Sequence, residues 1–148
     1  MAIDVPKLQQ SFRKLTPKAD LLAINFYDTL FDRHPETLTL FSNTRFPEQR
    51  EKLIRSLALV IRNIERPEFL AAYLKGLGAI HVAYGVKREH YEVMGDCLVS
   101  ALAVTAGRFW DAELEQVWRE AYQMIADMML DGADQVGKLD GKPASEAR

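Results

Sequence analysis

Apolar side chains recur along this chain at three- and four-residue intervals, and proline and glycine cut the pattern into helix-length pieces. From Asp4 to Leu15 one face carries Leu8, Phe12 and Leu15, with Asp4 placed as a cap and Pro6 in the first turn. Thr16-Pro17 ends that piece. The next, Lys18 to Arg33, carries Leu22, Phe26 or Tyr27, and Leu30. It stops before His34-Pro35, because the residue preceding proline disfavours α geometry. A short helical turn, Pro35 to Phe41, is followed by a small loop from Ser42 to Phe46. Pro47 then opens a helix with the stripe Leu53, Leu57, Val60 or Ile61, and Ile64. Pro67 starts a piece whose stripe is Leu70, Leu74, Leu77 and His81, with Gly85 beyond as a stop signal. Lys87 to Ala106 presents Tyr91, Met94, Leu98, Ala101 and Leu102 and closes at Gly107. The last piece, Asp111 to Leu130, presents Leu114, Val117, Ala121, Ile125 and Met128, and Gly132 follows as its stop.

Strand signals are nearly absent: no run of β-branched residues alternates with polar ones, and the Asp-Gly pairs at 131 and 140 have no alternating flanks. Seven helical pieces, two of them short, predict an all-α fold, and their uneven lengths fit an up-and-down four-helix bundle poorly. The 148 residues, 48% hydrophobic and 27% charged, suffice for one domain with a real core. That domain is expected over 1–136. The tail 137–148 has too little apolar content to repay ordering.

Charge and cysteine usage narrow the function classes. Nineteen basic against 21 acidic residues, with no basic patch, argue against nucleic acid as a partner. Uncharged stretches such as Cys97 to Gly107 fall well short of a membrane span, and the N-terminus lacks a basic segment followed by an apolar one. No membrane association and a cytoplasmic location are therefore expected. A lone cysteine, Cys97, excludes an intramolecular disulfide and a Cys-rich metal site. Within its helix it reads as a small buried hydrophobe. Met124, Met128 and Met129 read as core filler, and Trp110 and Trp118 as packing residues.

His81 is the informative oddity, an imidazole where the stripe calls for another leucine. Taken alone it reads either as a core histidine bonded to a backbone carbonyl or as a metal ligand. A zinc site would need further ligands, and the other histidines, His34 and His90, stand at a helix boundary and in a charged first turn. Haem asks for less, since its iron already has four nitrogens and needs one proximal imidazole.

Residues 5 to 135 resemble a bacterial globin of the flavohaemoglobin type, single-domain relatives included. The resemblance rests on Phe26-Tyr27-Asp28-x-Leu30-Phe31-x-x-His34-Pro35-Glu36, Leu40-Phe41, Gln49-Arg50-Glu51-x-Leu53, His81-x-x-Tyr84-Gly85-Val86, His90-Tyr91-x-Val93-x-Gly95 and Trp118-x-x-Ala121-Tyr122. It implies a globin fold, a three-over-three helical sandwich around haem b (iron protoporphyrin IX). It further implies His81 as proximal iron ligand, Phe41 packed against the ring, Tyr27 and Gln49 as distal donors to a bound diatomic, and Leu53 and Leu57 as pocket walls. Arg50 or Lys52 is a candidate for a haem propionate, against the plainer reading of a solvated helix face.

Tyr91, ten positions after His81, matches the family's tyrosine near the proximal imidazole. The family pairs it with a glutamate fifteen positions after the tryptophan, where this chain has Ala133. Asp131 and Asp134 are expected to face elsewhere on the helix. A carboxylate coupled to the imidazole raises electron donation to iron, so Ala133 favours reversible ligand binding over peroxidase-like activation. The resemblance thus implies a globin binding dioxygen, nitric oxide or carbon monoxide. Two alternatives stand beside it: a nitric oxide dioxygenase served by a separate reductase, and a haem-free globin-like interaction module.

Overall fold

A computed structural model describes residues 3–139 of the chain. Among them are six α-helices: α1 (Val5–Leu15), α2 (Ala19–Arg33), α3 (Phe46–Arg62), α4 (Pro67–Ala83), α5 (Arg88–Ala106) and α6 (Ala112–Leu139). Short 3₁₀ helices cover Thr16–Lys18, Pro35–Phe41 and Gly107–Phe109, and no strand occurs among the described residues.

Local chemistry sets most boundaries. The Asp4 carboxylate accepts from the Lys7 backbone N–H at 3.1 Å at the start of α1, and Asp111 accepts from the Leu114 N–H at 2.8 Å at the start of α6. α2 stops at His34, before Pro35. Gly85 (φ 89) and Gly107 (φ 63) turn the chain after α4 and α5 at positive φ, where a side chain would be strained.

The predicted stripes are the buried faces. Leu22, Phe26 and Leu30 of α2 join Cys97, Leu98, Ala101 and Leu102 of α5 in one cluster, with Leu57 and Ile61 of α3, Leu8 and Leu15 of α1, and Trp118 of α6. A second cluster gathers Val60 of α3, Leu70 and Leu74 of α4, Tyr91 of α5, and Ala126 and Met129 of α6. The architecture is the expected three-over-three sandwich: α1, α3 and α4 form one layer over α2, α5 and α6, with α4 seated along α6 and α2 along α5. Asn25 donates to the buried Thr105 hydroxyl at 3.0 Å, fixing the register of α2 on α5.

The last helix departs from expectation. Gly132 does not end it; α6 runs to Leu139, taking in the first residues of the segment expected to be a tail. The reason is tertiary. Gly132 is buried with its Cα against the Lys75 backbone of α4, where a Cβ would fall 2.0 Å from the Lys75 carbonyl oxygen. Burial of Met129, Gly132 and Ala133 thus stabilises turns that the sequence pattern alone does not favour. Residues 140–148, the rest of the expected tail, lie outside the described residues. No single described helix is long and apolar enough to cross a membrane.

Candidate functional site

α4 positions His81. Its stripe buries Leu70, Leu74 and Gly78, which leaves His81, one further turn along, half-buried at the edge of the second cluster. The ring Nδ1 lies 2.7 Å from the Leu77 carbonyl oxygen. A carbonyl only accepts, so Nδ1 carries the proton and Nε2 keeps its lone pair. Burial holds the imidazole below its ordinary pKa, with the Leu77 hydrogen bond opposing. The result is a neutral, oriented imidazole with one free basic nitrogen, the state an iron or zinc ligand requires.

Both readings left open for His81 thus meet in one geometry: the backbone bond of a core histidine takes one nitrogen and orients the other. The remaining histidines are engaged elsewhere. His34 Nδ1 lies 3.5 Å from the Glu36 carboxylate, and His90 Nδ1 accepts from the Lys87 backbone N–H at 2.9 Å as a helix cap. Among the described residues no group of three or more His, Cys, Asp or Glu side chains could hold a metal ion. A metal at His81 would therefore have to bring most of its own ligands, as haem iron does.

Tyr27 comes from α2, between Phe26 and Phe31, and is 6% exposed. Gln49, in the first turn of α3, donates from Nε2 to the Tyr27 hydroxyl oxygen at 3.0 Å. Burial pushes the phenol above its usual pKa, while the Gln49 hydrogen bond opposes the shift. The hydroxyl stays protonated at neutral pH and keeps its proton to donate, since among the described residues no acceptor for it is recorded. Phe41 closes the 3₁₀ segment and meets the Tyr27 ring edge-on at 5.7 Å between centroids. Leu53, one turn after Gln49, is half-buried against the first cluster, and Leu57, one turn further, is buried within it. Arg50 is half-buried and Lys52 exposed.

Tyr91 is buried in the second cluster, beside Leu70 and Leu74 of the His81 helix. Its carbonyl accepts from the Tyr122 hydroxyl at 2.5 Å, and the Tyr122 ring lies where a Cβ on Gly95 would be. Ala133 is buried. Asp131 turns to Lys75 at 3.5 Å and Asp134 to Arg88 at 3.1 Å, so both carboxylates face away as expected. Among the described residues no carboxylate is hydrogen-bonded to His81 or Tyr91. Cys97 is fully buried, and burial raises its thiol pKa, which makes it the inert hydrophobe that its position suggests. Trp118 is buried, its indole donating to Ser11 at 3.0 Å, and the three methionines pack in the second cluster.

Two further aromatic residues stand at the site: Phe31, which lies within the Phe26-Tyr27 motif with no role of its own assigned, and Phe46, which lies in no motif. Phe31 and Phe46 stand 6.0 and 5.6 Å from the Tyr27 ring. The four-residue interval from Tyr27 to Phe31 is a helical signal for the first. Nothing local marks the second.

By their chemistry these residues fit a largely apolar cofactor that brings most of its own ligands and would take one imidazole from the protein. One free imidazole nitrogen and one hydrogen-bond donor pair are present, and the apolar Phe41, Leu53 and Leu77 remain partly uncovered.

A globin family model matches residues 24–129 of the chain. The chain is 32% identical over 128 residues to a flavohemoprotein of Bacillus cereus, covering 85% of this chain and 30% of the relative. It is 31% identical over the same length to one from Bacillus subtilis. It thus spans about a third of the curated relatives it matches. Among solved structures it resembles a bacterial globin from Campylobacter jejuni, with a TM-score of 0.79 at 25% identity, covering 90% of this chain and 96% of that one. It also resembles an engineered carbene transferase, a candidate nitric oxide dioxygenase from Rhodothermus marinus, with a TM-score of 0.78 at 27% identity over 92% and 97% of the two chains. Fold, motifs and these likenesses agree, and the chain belongs to the globin family.

Proposed function

We propose that this globin binds haem b, which His81 would hold through its iron, and takes up dioxygen or another diatomic gas reversibly, with Tyr27 and Gln49 as the residues that would contact the gas. The observation that carries the reading is the His81 imidazole, neutral, oriented through Nδ1 by the Leu77 carbonyl and free at Nε2. The sole cysteine, Cys97, is fully buried, which favours a non-covalently held haem over a thioether-linked one. When bound, haem supplies an iron centre to which a diatomic gas adds and from which it leaves.

The chain's own residues do the rest. Phe41 offers an apolar face to the macrocycle, and Leu53 and Leu57 exclude water from the ligand side. Tyr27 would donate its hydroxyl proton to a polar ligand, and the Gln49 amide, donating to the phenolic oxygen, leaves that proton available for it. In a low-dielectric site such a hydrogen bond is stronger than in water. With Asp131 and Asp134 paired elsewhere and Ala133 in the glutamate's place, no carboxylate among the described residues raises the imidazole's basicity. That supports reversible binding over peroxidase-like activation. A nitric oxide dioxygenase with a separate reductase is the second reading, supported by the Rhodothermus marinus neighbour.

The test is optical. Protein reconstituted with haem gives a Soret band that His81→Gly alters and added imidazole restores. Tyr27→Phe raises the dioxygen dissociation rate roughly tenfold, the worth of one buried hydrogen bond to a charged partner. Absence of a Soret band after haem addition refutes the reading and favours a haem-free interaction module. Rapid oxidation of the dioxygen form by nitric oxide, reversed by a cellular reductase, moves the assignment to the dioxygenase.

A further inference from the structure

Four aromatic rings form a closed group at the distal site: Tyr27 and Phe31 of α2, Phe41 at the end of the 3₁₀ segment and Phe46 at the start of α3. Phe31 lies 5.5 Å from Phe41 and 5.6 Å from Phe46, and Phe41 lies 5.9 Å from Phe46. With the Tyr27 contacts at 6.0, 5.7 and 5.6 Å, each ring touches the other three. Most pairs meet edge to face, the arrangement that the ring quadrupole favours.

We infer that Phe46 is a positioning residue for the distal donor: it clamps the Tyr27 ring while Gln49, one turn along α3, holds the hydroxyl. The inference rests on the proposed haem-binding function. Phe46 and Gln49 are three residues apart on one helix, so a single turn reaches Tyr27 from two sides, ring and oxygen. That turn is itself fixed. The Gln49 N–H donates to the Arg45 carbonyl at 2.9 Å, and the Arg45 guanidinium pairs with Glu48 at 2.7 Å. The loop before it is closed by the Thr44 N–H on the Phe41 carbonyl at 3.0 Å. Phe46 is half-buried, its ring edge-on to the Tyr27 ring at 5.6 Å.

A Tyr27 hydroxyl can donate along one direction only if both the ring plane and the oxygen are held. The phenolic O–H prefers the ring plane, so the direction of the donated proton follows the tilt of that plane; Gln49 holds only the oxygen, while the edge-on contacts from Phe41 and Phe46 hold the plane and so also slow rotation of the ring. A merely space-filling Phe46 would contribute to stability without affecting Tyr27 specifically.

The test uses haem-free and haem-loaded full chain. In haem-free protein labelled with carbon-13 tyrosine, ring flips of Tyr27, assigned by the signal lost in Tyr27→Phe, are measured in Phe46→Leu and Phe46→Met. Both are expected to accelerate flips roughly twofold to tenfold, the factor an aromatic edge contact is worth. Phe46→Tyr is expected to restore them, and Phe12→Leu, which loosens the separate contact with Trp118 at 6.3 Å, to leave them unchanged. In haem-loaded protein the Leu variant is expected to raise dioxygen dissociation by a similar factor, but not in a Tyr27→Phe background. Unchanged Tyr27 flips in both apolar variants overturn the inference, as does a dissociation change that persists without the Tyr27 hydroxyl. If the wild-type chain binds no haem, the function proposed above fails while the ring-flip measurement still decides whether the clamp exists.

Discussion

Replacing Gly78 by alanine tests whether the helix that carries His81 is held by direct backbone contact. A Cβ on Gly78 would fall 1.9 Å from the Met129 carbonyl oxygen, and 2.6 and 2.8 Å from the Met129 carbonyl carbon and Cα. Ordinary contact begins at 3.4 Å, so α4 and α6 must separate by about 1.5 Å. All three atoms struck are backbone, and no flexible side-chain end can swing away. Overpacking of a tight site costs roughly 1–3 kcal/mol, and a rigid neighbour places this case near the top of that range. Alanine recovers about 1 kcal/mol through its better helix propensity. A net loss of about 2 kcal/mol follows, or roughly 4–8 °C in Tm for a chain of this size. Gly76, on the same helix and exposed, meets nothing within 4 Å, so Gly76→Ala gains the propensity without the clash and is expected to raise Tm by roughly 2 °C. Thermal and urea unfolding of the two variants, followed by helical circular dichroism, makes the comparison. Equal shifts of the same sign, or a Gly78→Ala protein as stable as the parent, would refute the backbone contact between α4 and α6.

Other sites give independent tests. Ser11→Ala removes the acceptor of the buried Trp118 indole N–H and should cost about 1–3 kcal/mol in urea unfolding; a loss below the error of that measurement would contradict the bond. Asp111→Ala uncaps α6 and should cost about 1 kcal/mol, an effect that Asp111→Asn should largely spare. Burial raises Tyr27, Tyr91 and Tyr122 above the usual phenol pKa of about 10. Stability that depends on their protonated forms is therefore complete below pH 10 and is lost as pH rises through the raised values. Phenolate absorbance in the haem-free protein should accordingly arrive in two phases, the later one together with loss of helix. Ionisation of all five tyrosines near pH 10 with the helices intact would contradict this.

The comparison of α4 with α6 shows where local reading succeeds and where it ends. The start of α4 is fixed by Pro67, and its core face by Leu70, Leu74 and the histidine that interrupts the apolar stripe. Those are short-range rules, and they single out His81 before any partner is known. α6 was expected to end at Gly132 by the same rules, because a glycine after an apolar run usually marks a C-terminus. In the fold that glycine serves a close approach to Lys75, and burial against α4 carries the helix to Leu139.

The group around Tyr27 divides in the same way. Tyr27, Phe41 and Gln49 are recognisable from motifs, but the bond between Gln49 and Tyr27 spans 22 residues and depends on how α3 lies over α2. Phe46 had no motif at all; it matters only because the loop after Phe41 returns it to the Tyr27 ring. The sequence by itself determined the helices, their buried faces and the odd histidine, since each follows from interactions within four residues. Tertiary structure decided the length of α6 and the aromatic group around Tyr27, because these depend on distances between helices that no local period encodes.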